Sequence, residues 1–153
     1  MSIADPVPDR RPTLGAMFRL IHFAMAREYA RWLETTDYHD IRPAHAAVLQ
    51  PLWQAPGGER LTALAATANI TKQSAGALVD ALVASGYVER MPDPEDARAV
   101  RVRLTARGRR YARDVRGFGR ELEARLGRRL GAARLRQLRG SLDLLWEALQ
   151  DGA

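Results

Sequence analysis

Residues 61–107 carry the pattern that most constrains the fold of this chain. They contain a short helical pattern, a tight turn, a longer helical pattern that opens on Thr71-Lys72-Gln73-Ser74, and two strand patterns joined by an acidic, proline-containing tip. Helical periodicity that gives way to alternation of apolar and polar residues predicts helix, turn, helix, strand, hairpin, strand. This order is typical of a winged helix-turn-helix, in which the second helix and the hairpin (the wing) read DNA.

The residues of the turn and of the second helix fit this interpretation. Asn69 tolerates the left-handed backbone that ends a helix, and Ile70 is predicted to be the apolar plug of the turn. Thr71 is predicted to cap the second helix by accepting a hydrogen bond from a backbone N–H near Ser74. Gly86 is predicted to end that helix. Three of its apolar residues are predicted to face inward: Leu78, Val79 and Leu82.

The first turn of the second helix is polar and is predicted to be exposed. A recognition helix enters the major groove by this end. Lys72 can reach a phosphate or a guanine edge, Gln73 can pair with adenine, and Ala77 can touch a thymine methyl group. The predicted DNA contacts of the helix are Thr71, Lys72, Gln73, Ser74 and Ala77.

Residues 92–98 form the predicted tip of the wing. Asp96 precedes Arg98 by two residues, so its carboxylate is predicted to hold the guanidinium in a fixed pose. An arginine at a hairpin tip suits the narrow, electronegative minor groove. The alternative is a solvated hairpin with an ordinary surface ion pair, which the preceding helix pair disfavours.

The returning strand, residues 100–104, alternates apolar residues with arginine. Val100 and Val102 are predicted to face the core. Arg101 and Arg103 are predicted to face outward, toward DNA phosphates.

The helical pattern before this segment predicts two helices. The first runs from Thr13, a plausible N-cap, to about Thr36. The second begins at Pro43, which suits a first turn, and ends at about Gln54, before the break at residues 55–58. Apolar residues recur at helical spacing in the first helix: Leu14, Phe18, Ile21, Met25 and Trp32.

Two further helices are predicted after the wing. Thr105 can cap a long helix that starts at about Ala106, and Gly131 is a predicted break. The last helix carries leucines alternately three and four residues apart, at positions 135, 138, 142, 145 and 149. Such a stripe forms either an intramolecular core or a seam between chains, and the amount of apolar helix surface favours a dimer.

Composition narrows the class of protein. The net charge of +6 comes from residues 106–153, which hold twelve arginines against six acidic residues. This excess suits a polyanionic partner, although arginine also fills solvated helix faces. The chain has no cysteine, which excludes disulfides and thiol switches. It has no secretory h-region and no apolar run of about 20 residues, so a cytoplasmic protein without a membrane partner is expected.

Several motifs resemble those of MarR-type (multiple antibiotic resistance regulator) transcription factors. They are Thr71–Ser74, Leu78-Val79-Asp80 with Leu82, Gly86–Arg90, Asp93–Arg98 and Leu104–Gly108. The resemblance implies a homodimer that binds a pseudo-palindromic operator in double-stranded DNA. It also implies a repressor that a small aromatic or phenolic ligand releases. Gly76 and Ala77 depart from the residues that the family often has in the recognition helix, and His45 stands where a glutamine is frequent.

Composition and the resemblance together set expected boundaries, because the N-terminal tail carries three prolines. A disordered tail is expected over residues 1–12 and a single MarR-like domain over 13–153. Within that domain the winged helix spans about 43–104, and dimerisation helices span about 13–36 and 106–151. The predicted fold class is therefore mainly α with a small β-wing.

The resemblance places a ligand pocket near the first, second and fifth helices. Its candidate residues are Phe18, His22, Tyr38, His45, Trp53 and Tyr111, although aromatic residues at helical spacing also form plain core. The chain has three histidines and no cysteine, so a metal-responsive regulator is disfavoured and no cofactor is expected. No enzyme motif is present. A winged-helix module that binds another protein is a remaining alternative.

Overall fold

The computed structural model describes residues 11–150, apart from the side chains of Ala97 and Arg98. The predicted tail lies largely outside the described residues. The described chain divides into two compact units after Ala46. Its α-helices are α1 (Leu14–Glu34), α2 (Ala46–Leu52), α3 (Leu61–Thr67), α4 (Lys72–Ala84), α5 (Ala106–Leu130) and α6 (Ala132–Gln150). Its strands are β1 (Glu59–Arg60), β2 (Val88–Asp93) and β3 (Asp96–Leu104). The predicted class, mainly α with a small β-wing, is confirmed.

The first unit contains α1 and a 3-10 turn at Pro43–His45. Thr13 caps α1 as predicted, because its Oγ1 accepts a hydrogen bond from Ala16 N at 3.3 Å. The helix ends at Glu34, where the hydroxyl groups of Thr35 and Thr36 donate to carbonyls of the last turn. These hydroxyls satisfy acceptors that the helix end leaves open.

The second predicted helix is shorter than the sequence indicates. A 3-10 turn occupies its start, and α2 ends at Leu52 instead of about Gln54. Pro51 lies inside the last turn of α2 and has no N–H to donate back into the helix. The chain therefore tightens, with Trp53 N donating to Gln50 O at 3.1 Å.

The helix-turn-helix of α3 and α4 has the predicted local geometry. Asn69 has φ 51°, in the left-handed region that ends α3. Ile70 is half-buried in the turn. On α4, Val79 and Leu82 are fully buried as predicted, whereas Leu78 is only half-buried.

The three strands form an antiparallel sheet in the order β1-β3-β2. Val102 on β3 is buried as predicted, but Val100 is 46% exposed, so its predicted burial is wrong. Both valines lie on the same face of the strand because they are two residues apart. Val100 pairs with Pro92 near the tip of the hairpin, beyond the core.

Helix α5 docks closely on the residue that precedes β2. Thr105 caps α5, since its Oγ1 accepts from Gly108 N at 3.1 Å, and its own N–H donates to Tyr87 O at 3.0 Å. A Cβ atom on Gly108 would lie 2.1 Å from Tyr87 O. The buried rings of Tyr87 and Tyr111 meet edge to face, with centroids 5.7 Å apart. The base of the wing is therefore fixed to the start of α5.

Helix α6 follows the break at Gly131, which has φ 86°. No residue of α6 is buried. No helix within residues 11–150 has both the length and the apolar character needed to span a bilayer.

Candidate nucleic-acid interface

The N-terminus of α4 is built by two hydroxyl groups. Thr71 Oγ1 accepts a hydrogen bond from Ser74 N at 3.1 Å, which caps the helix as predicted. The hydroxyls of Thr71 and Ser74 also lie 2.8 Å apart in a second hydrogen bond. Both side chains therefore fix the start of the helix.

Lys72 and Gln73 are the two exposed polar side chains of this start that take no part in the cap. Both are exposed, and neither has a hydrogen bond or an ion pair within the described part of the chain. Ala75 beside them is fully buried, which sets the rotation of the helix about its axis. Ala77 is exposed one turn further on. The open first-turn N–H groups and the helix dipole add positive potential at this end.

Asp93 is the organising residue of the wing, and the sequence interpretation missed it. Its side chain has no exposed surface. Its Oδ2 accepts a hydrogen bond from Arg60 Nε at 2.6 Å, and its Oδ1 accepts one from Glu95 N at 2.9 Å. Arg101 Nε lies 3.1 Å from Oδ2 without the alignment of a hydrogen bond. We call Arg60, Asp93 and Arg101 the wing clamp, because they join β1, β2 and β3.

The local backbone turns Asp93 inward. The register of β2 and β3 shifts between Pro92 and Asp93, and the Asp93 carboxylate closes the turn by bonding the N–H two residues on. The hydrogen bond from Arg60, followed by that from Glu95 N, holds the pKa of Asp93 well below its usual range. The carboxylate is therefore ionised in the folded protein down to strongly acidic pH.

The other predicted wing residues are largely engaged with acidic partners. Arg101 is 24% exposed and also lies 3.3 Å from Glu95 Oε2. Arg103 Nε donates to Glu89 Oε1, directly across the hairpin, at 2.7 Å. The side chain of Arg98 lies outside the described residues, so its predicted pose beside Asp96 stays a prediction. The charges of Arg101 and Arg103 are thus partly compensated within the sheet.

Asp93→Asn is expected to loosen the wing. The amide leaves Arg60 and Arg101 without an anionic partner, so the urea midpoint of unfolding should fall at pH 7. Because the folded pKa is depressed, the stabilisation exists above the unfolded pKa of about 3.9 and is lost as pH falls through the folded value. The difference in urea midpoint between Asp93→Asn and the wild type should therefore shrink as the pH is lowered below about 4.

Glu95→Gln is the matched control for this change. It removes one negative charge from the same hairpin, but Glu95 is 74% exposed and touches only the edge of the clamp. Its effect should be small, as for surface ion pairs in general. Equal effects of the two variants would contradict the role of Asp93.

The predicted ligand residues lie in both units. In the first, Phe18 is 40% exposed and the ring of His22 meets that of Phe23 with centroids 5.9 Å apart. The Tyr38 ring packs on Trp32 at 6.0 Å. In the second unit, Tyr111 is fully buried, and the Trp53 ring lies under the Arg116 guanidinium at 5.7 Å.

His45 has a structural task in the first unit. Its buried side chain accepts a hydrogen bond at Nδ1 from Arg42 N at 3.1 Å, which supports the 3-10 turn. Burial lowers the pKa of His45, and the charge of Arg42 lowers it further against the opposing effect of Asp40. The imidazole is therefore neutral at pH 7, with its proton on Nε2.

His45→Gln is expected to make folding less sensitive to acid. With a lowered folded pKa, the unfolded state binds more protons, so wild-type stability falls as pH drops below about 6.5. Glutamine can accept the same hydrogen bond and does not titrate. Urea midpoints at pH 7.5 and 5.5 measure the effect, with His39→Gln, an exposed histidine of the same unit, as control. An unchanged pH dependence would count against the buried neutral imidazole.

Residues 11–150 contain no group of three or more His, Cys, Asp or Glu side chains placed to hold a metal ion.

A helix-turn-helix beside a three-stranded antiparallel wing defines a winged-helix protein.

Comparison with known proteins agrees with this class. The model described as the MarR family matches residues 41–100. Reduced MarR from E. coli is 25% identical, with 90% of this chain and 98% of that chain covered and a TM-score of 0.77. FabT from Streptococcus pneumoniae in complex with DNA is 18% identical, with 92% and 97% covered and a TM-score of 0.79. A MarR transcriptional regulator from Methanosarcina mazei Go1 is 21% identical, with 92% and 98% covered and a TM-score of 0.77. No curated protein sequence matches the chain.

Residues 41–100 thus match the MarR family of transcription regulators, and the described fold is that of its winged-helix members. The resemblance drawn from its sequence motifs is thereby confirmed. The members of this family are transcription regulators and not enzymes.

Proposed function

We propose that this regulator binds a pseudo-palindromic operator in double-stranded DNA as a homodimer, represses transcription there, and is released by a small aromatic or phenolic ligand. The observation that carries the DNA-binding part is the start of α4, where Lys72 and Gln73 are exposed and without partners. In this proposal residues 13–153 act as one domain, with dimerisation helices at about 13–36 and 106–151.

The first turn of α4 enters the major groove. Gln73 reads a base edge, Lys72 binds a phosphate or a guanine, and Ala77 contacts a thymine methyl. Thr71 and Ser74 lie against the sugar–phosphate backbone of the DNA. The cap that they form orients the first backbone N–H groups of α4 toward a phosphate. The fold also supports this proposal. FabT from Streptococcus pneumoniae and MepR from S. aureus have a similar fold, and their structures have been solved in complex with DNA.

The wing contributes Arg98, Arg101 and Arg103. Arg98 enters the minor groove, as the hairpin tip is the part of the wing nearest the DNA in this fold. Arg101 and Arg103 line the strand behind it and contact phosphates with the donors that their acidic partners leave open. Because acidic partners partly neutralise Arg101 and Arg103, each of these arginines releases fewer counterions from the DNA than Lys72 does.

The homodimer is supported by apolar surface that the described chain leaves uncovered. On α1, Leu14 is 70% and Phe23 57% exposed. On α6, Leu144 is 69% and Trp146 66% exposed. Large apolar side chains left exposed along terminal helices are typical of an interface between two copies, because a soluble monomer rarely exposes many of them.

Fluorescence anisotropy with DNA from just upstream of the protein's own gene tests the proposal. A scrambled fragment is the control, and both are titrated over a salt series. Tight binding to the native fragment alone, weakening as salt rises, is expected. Equal, weak binding to both fragments would overturn sequence-specific recognition and favour a protein-interaction module. Phenols and aromatic acids added to the complex then test release.

Gln73→Ala and Lys72→Ala are expected to weaken DNA binding in different ways. Loss of Gln73 should reduce the preference for the operator by about 1–3 kcal/mol while non-specific affinity changes little. Loss of Lys72 should weaken both and reduce the salt slope by about one. The same anisotropy series measures both. Parallel losses on operator and scrambled DNA for Gln73→Ala would make Gln73 a backbone contact.

A further inference from the structure

The junction of α5 and α6 concentrates the positive charge of the chain. Residues 124–142 hold six arginines and no acidic residue, which equals the whole net charge of +6. Four of these arginines flank the junction and form what we call the basic tip: Arg128, Arg129, Arg134 and Arg136. The DNA contacts of the proposed function include none of them.

The packing of α6 on α5 supports the basic tip. Leu135 lies against Gly127, since its Cδ2 would be 3.4 Å from a Cβ atom added there. Arg139 Nη2 donates to Glu123 Oε1 at 2.6 Å, which joins the two helices further from the junction. Gly131, with φ 86°, makes the break between them. The four arginines are therefore carried by two helices that brace each other.

The charges of the basic tip are not compensated within the described chain. All four arginines are exposed, and none has an ion pair or a side-chain hydrogen bond among residues 11–150. Arg134 lies in the first turn of α6, which has no acidic residue, although the positive end of a helix dipole disfavours a cation there. Because like charges repel, an anion that lies across both helix ends is bound favourably.

Helix α5 separates the basic tip from the base of the wing. The helix has 25 residues, so at ~1.5 Å per residue its ends lie about 37 Å apart. Thr105 fixes the first end to Tyr87, and the basic tip lies at the other end. No arginine side chain spans that distance, so a contact at the basic tip is separate from the contacts proposed for the wing.

The residues around the basic tip favour nucleic acid as its partner. Guanidinium groups match phosphate oxygens with pairs of parallel N–H donors. No aromatic residue lies between Phe118 and Trp146, whereas helices on membrane surfaces and the cores of protein interfaces are enriched in aromatic residues. Contacts to phosphates fix DNA in place without reading its sequence.

We propose that the basic tip binds a second segment of duplex DNA through its phosphates, independently of base sequence. Binding at the basic tip does not rest on the proposed operator recognition. Where both occur, one protein holds two DNA segments and bridges them.

DNA binding by a protein with a disabled α4 tests the basic tip. Lys72→Ala and Gln73→Ala are combined in the full chain, and anisotropy with a scrambled duplex is followed over a salt series. In this background, Arg128→Gln with Arg134→Gln should weaken binding at least about tenfold at low salt. The slope of log affinity against log salt should become less steep by about two, since each phosphate contact contributes about 0.9. An unchanged slope would overturn the proposal.

Arg110→Gln with Arg113→Gln is the matched control. It removes the same charge from two exposed arginines in the first half of α5, and should leave the salt slope near that of the background. If both pairs reduced the slope alike, affinity would follow net charge alone and the basic tip would be refuted.

Arg128→Lys with Arg134→Lys separates charge from structure. This pair keeps both positive charges and should retain the salt slope. A loss as large as that of the glutamine pair would show that the charges do not hold the DNA, which also refutes the basic tip.

Vesicles of phosphatidylglycerol distinguish DNA from a lipid surface. Arg128→Gln with Arg134→Gln should lower duplex binding more than it lowers co-sedimentation with the vesicles. The opposite order would assign the basic tip to a membrane surface and overturn DNA as its partner.

The upstream fragment separates this inference from the proposed function. A slope that depends on the basic tip, in a protein without preference for its upstream DNA, would overturn operator recognition and leave the basic tip standing. Preference for upstream DNA with a slope that ignores the basic tip would do the reverse. When both hold, immobilised upstream DNA should capture a second, labelled duplex through the wild type. Capture through Arg128→Gln with Arg134→Gln should be at least about tenfold weaker.

Discussion

Gly108→Ala is expected to lower the free energy of unfolding by about 3 kcal/mol. The new Cβ would lie 2.1 Å from the carbonyl oxygen of Tyr87, which is backbone and cannot swing aside. The same oxygen accepts the N–H of Thr105 at 3.0 Å, so relief of the clash also breaks the start of α5. Urea unfolding followed by circular dichroism measures the change.

Gly119→Ala is the matched control on the same helix. Apart from the adjoining residues and the local backbone of its own helix, no heavy atom lies within 4 Å of its added Cβ. It should stabilise the protein by about 0.5–1 kcal/mol, because alanine is the better helix former. If Gly108→Ala were as stable as Gly119→Ala, the close docking of α5 on Tyr87 would be refuted.

Leu142→Asp is expected to convert the proposed dimer to a monomer and to weaken operator binding at least about 100-fold. Leu142 belongs to the stripe of α6 and is 41% exposed in the single chain. A carboxylate buried at an interface without a partner opposes association. A monomer binds each half-site separately and loses the gain from linking two reading heads. Light scattering on a size-exclusion column and the anisotropy assay measure both effects.

Ser141→Asp introduces the same charge one position earlier on α6. Ser141 is exposed, and its hydroxyl donates only to Gln137 O in its own helix. Its substitution should leave the dimer and operator affinity near wild type. A Leu142→Asp protein that remained dimeric would show that the α6 stripe is not the interface.

The starts of α1, α4 and α5 could be predicted because their causes are local. Thr13, Thr71 and Thr105 each accept a hydrogen bond from the N–H three residues on. A threonine ahead of a helical pattern is enough to indicate such a cap. Asn69 is similar, since its left-handed backbone follows from residue type and position.

The wing clamp could not be predicted because its causes are distant. Asp93 and Arg60 are separated by 33 positions, and Arg60 lies on β1, a two-residue strand with no recognisable pattern. The two-residue spacing in the sequence instead favoured an ion pair between Asp96 and Arg98. The error at Val100 has a related origin, because alternation gives the face of a strand but not where the core ends.

The cleft beside Trp53, between the end of α2, the end of β3 and the first half of α5, could not be predicted from the sequence for another reason. Trp53 was predicted to be a ligand residue, but Arg109 and Arg116 lie in a helix with many arginines. Only the fold distinguishes the two that line a concavity from those on open surface.

The wing clamp also allows the two proposed DNA-reading parts, the start of α4 and the wing, to be engineered separately. Arg60, Asp93 and Arg101 all lie outside α4, and the cap of α4 uses only Thr71 and Ser74. Residues 72, 73, 76 and 77 can therefore be randomised to seek new operators while the frame that carries the wing keeps its own bonds. A library confined to those four positions should yield folded proteins at high frequency, with altered base preference and an unaltered footprint length.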